Sequence, residues 1–389
     1  MAQAPETKNV TFTLDGKQVT APHGTTIWHV ARDADIDIPH LCYKDADGYR
    51  ADGNCRACMV EIDGERVLAA SCQRVATDGM IVHSATERAT KARAMVMELL
   101  VADQPSRTDS HDPSSQLWHY AEEQQVDHSR FPGKKAPHPD SSHPAIAVNM
   151  DACIQCNLCV RACREVQVND VIGLAGRGAD AHIIFDFGDD MGASTCVGCG
   201  ECVQACPTGA LMPKTVLDDS QKLAITPDKQ VASVCPYCGV GCQLNFHVKG
   251  EKIVAVTGRE GPANKSRLCV KGRYGFDYID NPQRLTVPLI RRDDVPKSAS
   301  LPFDPATPLT HFREASWDEA LTRAASGFSD IKQAHGASAL AGFGSAKGTN
   351  EEAYLVQKLV RQGFGTNNVD HCTRLCHASS VAALLENIQ

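Results

Sequence analysis

Apolar and polar positions alternate over residues 8–14, with Val10, Phe12 and Leu14 on one side, and the run ends at Asp15-Gly16. Period-two alternation meeting Asp-Gly predicts a strand entering a hairpin. The period then lengthens. Ile27, Val30, Ala31 and Ala34 recur at helical spacing behind Thr25 and Thr26, either of which could cap the helix. A second hairpin fits around Asp63-Gly64, so hairpin, helix and further strands predict a small β-grasp domain closing near residue 84. One helix follows over 86–102, with Ala92, Met95, Val96, Leu99 and Leu100 apolar. Residues 103–145 are polar and carry four prolines from Pro132 to Pro144, which predicts loop with a short helix at 115–125.

Residues 146–217 hold two similar blocks whose first cysteines, Cys153 and Cys196, lie 43 positions apart, an internal repeat. Residues 218–230 read as a linker, and short β-like runs follow at 244–248 and 253–256. A helix is predicted over 317–335 with Ser316 as its cap. Residues 339–343 suit a strand and 344–350 a loop. Residues 351–361 suit a helix with acidic residues in its first turn, where the helix dipole favours them. Strand, polar loop and helix mark the opening of an α/β domain.

Composition narrows this picture. A chain of 389 residues, 42% hydrophobic and 22% charged, fits an ordinary globular protein of several domains. Its formal charge of −8 argues against nucleic-acid binding. No apolar run approaches the ~20 residues of a membrane span. The start, Met1-Ala2-Gln3-Ala4-Pro5-Glu6, shows no export signal. The expected location is therefore the cytoplasm, where clustered cysteines bind metal more often than they form disulfides.

Sixteen of the 18 cysteines fall into four quartets. The pair C-x2-C-x2-C-x3-C at Cys153, Cys156, Cys159, Cys163 and at Cys196, Cys199, Cys202, Cys206 is the most specific. Three cysteines so spaced wrap one four-iron cluster, and the fourth reaches across to the sister cluster. One 4Fe–4S cluster is thus expected on Cys153, Cys156, Cys159 and Cys206, and the other on Cys196, Cys199, Cys202 and Cys163. Pro207 follows the second block, whereas Arg164 replaces proline after the first. Cys42, Cys55, Cys58 and Cys72, on the β-grasp pattern, fit a 2Fe–2S cluster. Cys235, Cys238, Cys242 and Cys269 suit a third 4Fe–4S cluster, although paired cysteine arms also describe zinc ribbons. Lys347, Gly348, Thr349 and Asn350 precede a helix, where free N–H groups and a lysine could cradle an anion.

Three stretches carry a resemblance. The first quartet is similar to the N-terminal domain of the large iron–sulfur subunit of complex I and of iron-only hydrogenases. Ser233 to Cys242, with Cys-Pro-Tyr-Cys at its centre, and Arg267 to Gly275 resemble the N-terminal 4Fe–4S segment of the molybdopterin oxidoreductase superfamily. There, a lysine two positions after the last ligand lies between cluster and pterin, and Lys271 matches it. Asn367 to His377 closely resembles the active-site run of formate dehydrogenases, in which a cysteine ligates molybdenum or tungsten and a histidine follows. Cys376 and His377 match, while Cys372 has no ligand role. Soft thiolate suits the metal, and a histidine near neutrality suits proton handling. The family segment matching 344–350 contacts the guanine dinucleotide of the pterin.

The domain order resembles the α-subunit of soluble NAD-dependent formate dehydrogenases. The implied class is an α+β multidomain chain: a β-grasp 2Fe–2S ferredoxin-like domain (1–84), a helical and loop connector (85–145), a double 4Fe–4S ferredoxin-like domain (146–217), a 4Fe–4S molybdopterin oxidoreductase N-terminal domain (231–290), and the start of the α/β molybdopterin-binding catalytic domain (291–389). The implied cofactors are one 2Fe–2S cluster, three 4Fe–4S clusters and bis-molybdopterin guanine dinucleotide with Mo or W. The implied activity is reversible oxidation of formate to carbon dioxide. Electrons would leave toward flavin- and iron–sulfur-bearing NADH dehydrogenase-like subunits. Relatives often carry a cluster on one histidine and three cysteines in the connector. Residues 103–130 hold His111, His119 and His128 but no cysteine, so none is expected there. Only 13 residues follow Cys376, and the resemblance implies a subunit that continues further. Nitrate reductase, an iron-only hydrogenase, a complex I subunit and a non-enzymatic electron-transfer subunit remain alternatives.

Overall fold

Hydrophobic alternation becomes a sheet in the computed structural model, which describes residues 8–134, 137, 139–298, 302–304, 306–345 and 348–387. Strands β1 (Asn9–Leu14) and β2 (Lys17–Pro22) form the first hairpin, with Phe12 facing Val19. Helix α1 (Ile27–Asp33) crosses to β3 (Met59–Ile62), β4 (Ala69–Ala70) and β5 (Ile81–His83). The sheet order is β2-β1-β5-β3-β4, with β1 and β5 parallel. That mixed sheet under one helix is a β-grasp. Val10, Phe12, Leu14, Ile27, Val30, Val60 and Val82 fill it, each contributing about 1.5–3 kcal/mol by leaving water.

Helix α2 (Glu87–Val101) starts at Thr86, whose side chain accepts from the Ala89 N–H. Helix α3 (Gln116–Glu123) buries Leu117, Trp118, Tyr120 and Ala121. Leu117, Tyr120 and Met97 pack with Leu41 and Ala57, which seats the connector against the first quartet's loop. His111 lies in the polar stretch before α3, with Nδ1 2.9 Å from the Gln221 carbonyl and Nε2 3.1 Å from the Asp151 carboxylate.

The internal repeat folds as two matching loops. Each leads into a short helix, α4 (Leu158–Arg161) or α5 (Glu201–Ala205). Strands β6 (Ile146–Val148) and β9 (Leu211–Pro213) tie the ends of the repeat together, and β7 (Ile172–Ala175) pairs with β8 (His182–Phe185). The linker expected at 218–230 ends early, because Lys229 already begins β10 (Lys229–Val234). It is also anchored, since the Leu223 N–H donates to the His111 carbonyl at 2.8 Å. Strands β10, β11 (Gln243–Lys249) and β12 (Lys252–Gly258) make a sheet in that order, and α6 (Val270–Tyr274) follows.

The chain divides into two units, one of residues up to 232 with 244–274, the other of 233–243 with 275 onward. In the second, β13 (Leu289–Arg291) pairs with β14 (Phe312–Glu314), and α7 (Trp317–His335) starts at its Ser316 cap. Strand β15 (Gly342–Gly344), helix α8 (Asn350–Lys358) and strand β16 (Val369–His371) form a parallel β-α-β unit. Short helices α9 (Thr373–Cys376) and α10 (Ala378–Asn387) come next. This unit has little core: α7 buries no side chain and leaves Trp317, Leu321, Phe328 and Ile331 exposed. No helix among the described residues is long and apolar enough to cross a membrane.

Candidate functional site

The first quartet sits on the loop between α1 and β3 and just after β4. Cys42, Cys58 and Cys72 are buried and Cys55 half-buried. The Cys55 N–H points at the Cys42 sulfur at 3.5 Å, and the Ala57 N–H at the Cys55 sulfur at 3.5 Å. The four thiols share hydrogen bonds. Donation from Cys55, then Cys72, holds Cys42 far below an ordinary thiol, and donation from Cys72 brings Cys58 down to about 7. The donors Cys55 and Cys72 are pushed up by the same bonds and by burial. Cys42 and Cys58 are thus drawn toward the thiolate that iron requires.

Two small, largely enclosed pockets lie in the double-loop region. Cys153, Cys156, Cys159 and Cys206 line the first; Cys163, Cys196, Cys199 and Cys202 line the second. The loops thus interleave, each sending its last cysteine to the other's pocket. Burial raises the thiols of Cys156, Cys159 and Cys202 well above normal and that of Cys153 to about 11. Four-iron clusters fit this donor chemistry. Sulfur lines both pockets, beside Asn157 and Thr208 in one and Asn169 in the other, and main-chain N–H groups aim at it: Gln155 at Cys153 and Gly198 at Cys196, both at 3.4 Å, and Val171 at Cys163 at 3.3 Å. The Tyr274 hydroxyl is buried with no hydrogen-bond partner among the described residues, and it reaches the edge of Gly200, between Cys199 and Cys202.

The repeat also explains two glycines. Gln155 and Asn157 take positive φ of 51° and 64°, and Gly198 and Gly200, 43 positions later, take 65° and 69°. The first loop tolerates side chains at these positions. In the second, a Cβ on Gly200 would overlap Arg273 and come within 2.5 Å of the Tyr274 hydroxyl. Gly200→Ala should therefore destabilise this region. Left-handed backbone costs about 1–2 kcal/mol, and overpacking about 1–3 kcal/mol more. The readout is the denaturation midpoint, with Asn157→Gly as the tolerated counterpart; equal midpoints for the two variants would refute the packing argument.

The fourth quartet is divided between the units. Cys235, Cys238 and Cys242 belong to a loop closed by the Cys235 N–H donating to the Cys242 carbonyl at 2.8 Å, while Cys269 lies in the first unit. Lys271 is exposed on α6.

In the second unit, β15 and β16 run parallel with Gly344 opposite His371. The loop after β15 and the run after β16 therefore leave the same carboxyl edge, where open α/β sheets bind ligands. Lys347 lies outside the described residues. Gly348 and Thr349 spend their N–H groups within the loop: Gly348 donates to the Ser345 carbonyl at 3.2 Å, and Thr349 to Glu352 at 2.6 Å in a capping box. Asn350 opens α8. His371 Nδ1 lies 2.6 Å from the Thr373 hydroxyl, and Arg374 pairs with Asp370 at 3.0 Å. Cys372 is exposed at the start of α9, which ends at Cys376; the Cys376 side chain lies outside the described residues, and His377 is exposed.

Sequence reasoning missed Glu201 and Arg273, a buried ion pair in the first unit. A glutamate inside the tightest part of a cysteine loop was the available signal, since a buried carboxylate requires a partner.

Comparisons with known families agree with this arrangement. Residues 7–87 match the 2Fe-2S iron-sulfur cluster binding domain, 152–210 the 4Fe-4S dicluster domain, 228–281 the molybdopterin oxidoreductase Fe4S4 domain and 284–388 molybdopterin oxidoreductase. The chain is thus a series of iron–sulfur domains joined to the start of a molybdopterin oxidoreductase domain. It is 32% identical to "Probable oxidoreductase YjgC" of Bacillus subtilis, over 97% of this chain and 40% of that protein. It is 29% identical to "Putative formate dehydrogenase" of Staphylococcus aureus strain USA300, over 98% of this chain and 41% of that protein. The chain therefore spans about two fifths of the length of these relatives. A crystallised NAD+-reducing NiFe hydrogenase is 29% identical with a TM-score of 0.47, covering 53% of this chain and 87% of that one.

His111 offers a pH test of how the connector is held. Burial opposes its charging, but the Asp151 carboxylate and the Gln221 carbonyl outweigh that and raise its pKa. A raised histidine contributes stability fully below its unfolded value of about 6.5 and loses it as pH rises through the folded value. Amide exchange over 108–116, corrected for its intrinsic pH dependence, should accelerate across that window. It should accelerate less in Asp151→Asn, and identical profiles would remove the ion pair from the account.

Proposed function

We propose that this chain carries the electron relay and part of the active site of an enzyme that reversibly oxidises formate to carbon dioxide. The observation that supports it is the shared carboxyl edge of β15 and β16, from which both the loop expected to hold a pterin dinucleotide and the run ending in Cys376 and His377 depart. Relatives named for formate dehydrogenase align over nearly the whole chain. When bound, a bis-pterin molybdenum or tungsten centre supplies two-electron chemistry at the formate carbon. Cys376 offers the soft thiolate that holds the metal, and His377 takes or returns the proton. Gly348, Thr349, Asn350 and Lys347 would contact the dinucleotide, as the family resemblance implies.

Lys271, two positions after Cys269, would serve electron passage to the cluster expected on Cys235, Cys238, Cys242 and Cys269, as the family resemblance implies. The crossed quartets hold the next two clusters, buried away from water. Cys42 and Cys55 pack on the same apolar cluster as Cys156 and Cys159, which supports a relay that includes the 2Fe–2S ligands. Flavin-bearing subunits that reduce NAD+ are the expected destination.

The test is metal and pterin analysis of the assembled enzyme, together with formate-dependent reduction of a dye and of NAD+. Pterin and formate-driven dye reduction would support the reading. Nitrate reduction without formate oxidation, or hydrogen evolution without pterin, would overturn it.

A further inference from the structure

Outside the quartets and Lys271, the most confined charged group in the first unit is the Glu201–Arg273 pair, whose side chains are 2% and 3% exposed. Arg273 touches two expected cluster ligands at once. Its main-chain N–H donates to the Cys269 carbonyl at 3.1 Å, and its Nε donates to the Cys199 carbonyl at 2.7 Å. Its remaining nitrogens donate to Gln204 at 2.6 Å and to Glu201 at 3.2 Å. Glu201 also accepts from the Tyr49 hydroxyl at 2.9 Å and lies 3.6 Å from the Lys44 ammonium. One carboxylate therefore faces a buried cation, Arg273, and a half-buried one, Lys44, beside Cys199 and Cys202.

A buried ion pair contributes little net stability compared with an apolar pair of the same volume. Its larger effects are the position it imposes and the field it exerts in a medium of low dielectric. Charge and hydrogen bonds near a cluster set its potential, and a nearby cation stabilises the added electron.

We propose that Arg273 is a positioning residue that reaches Cys269 through its main chain and Cys199 through its guanidinium and, by that charge, holds the Cys199 cluster at the higher potential. Electrons arriving at Cys269 then run downhill toward the crossed quartets. This rests on the cluster reading above and adds to it the contact and the direction of flow.

The experiment is a redox titration followed by electron paramagnetic resonance. It uses the full chain prepared anaerobically with iron and sulfide, with the relevant signal assigned by its change in Cys199→Ser. Arg273→Met removes the charge and keeps the volume. It should lower the midpoint of the Cys199 cluster enough to change its reduced-to-oxidised ratio about tenfold at fixed potential, or about 59 mV for one electron. Glu201→Gln should shift it the opposite way, and Arg273→Lys should stay near the parent. A purely structural role would move both variants in the same direction. Where Arg273→Met fails to fold, the comparison of Glu201→Gln with Arg273→Lys decides. Intact four-iron signals with no shift, or with same-sign shifts, would overturn this inference alone. Absence of four-iron signals from the parent protein would overturn the cluster reading and this one with it.

Discussion

Replacing Cys376 with alanine should lower formate oxidation at least a hundredfold in the assembled enzyme, about 2.7 kcal/mol of transition-state stabilisation, while every iron–sulfur signal persists. The argument starts from topology. Strand β16 delivers residues 369–371 to the carboxyl edge of a parallel pair, and α9 then carries the chain through one turn to Cys376. That position is separated in sequence from every quartet, so its loss should leave cluster assembly alone. Cys372 is the control. It is an exposed thiol at the start of the same turn, and Cys372→Ala should keep activity near the parent. The assay is dye-coupled turnover alongside iron and molybdenum or tungsten content. Parent-like turnover in Cys376→Ala with full metal content would remove the thiolate from the mechanism.

Much of the fold was legible because it rests on local rules. The alternation at 8–14 and the Asp15-Gly16 turn became β1 and β2, and the Thr86 and Ser316 caps began α2 and α7 as their side chains dictate. Errors gathered at element ends, where tertiary contacts decide. The strand expected at 339–343 is β15 at Gly342–Gly344, because Gly336 takes a positive φ of 80° and the chain spends 337–339 in a tight turn. The helix expected at 351–361 closes as α8 at Lys358, and wider turns occupy Leu359–Phe364 before Gly365 at positive φ. Three cysteines of each double-loop cavity could be read from spacing, since short intervals confine them to one loop, whereas the fourth comes from the other loop. The Arg273–Glu201 pair could not, because its members are 72 positions apart and each motif was already accounted for by its cysteines. His111 stood out only as one of three histidines in a stretch without cysteine, because its partners Asp151 and Gln221 stand 40 and 110 positions away.

Interleaving of the two loops leads to the other large effect. If each four-iron cluster took all its ligands from one motif, Cys163→Ser would damage the cluster of Cys153, Cys156 and Cys159. The pockets predict otherwise, since Cys163 lines the cavity of Cys196, Cys199 and Cys202, with the Val171 N–H aimed at its sulfur at 3.3 Å. Cys206 lines the cavity of Cys153, Cys156 and Cys159. Cys163→Ser should therefore perturb the same resonance signal as Cys196→Ser, and Cys206→Ser the same one as Cys153→Ser. Each substitution should convert or abolish one four-iron signal and leave its neighbour intact. Both should also break the relay: formate-dependent NAD+ reduction should fall to background, while a dye able to take electrons near the pterin still responds. Pairing of Cys163→Ser with Cys153→Ser instead would mean that the loops do not exchange ligands, and the two cavities would need a different occupant.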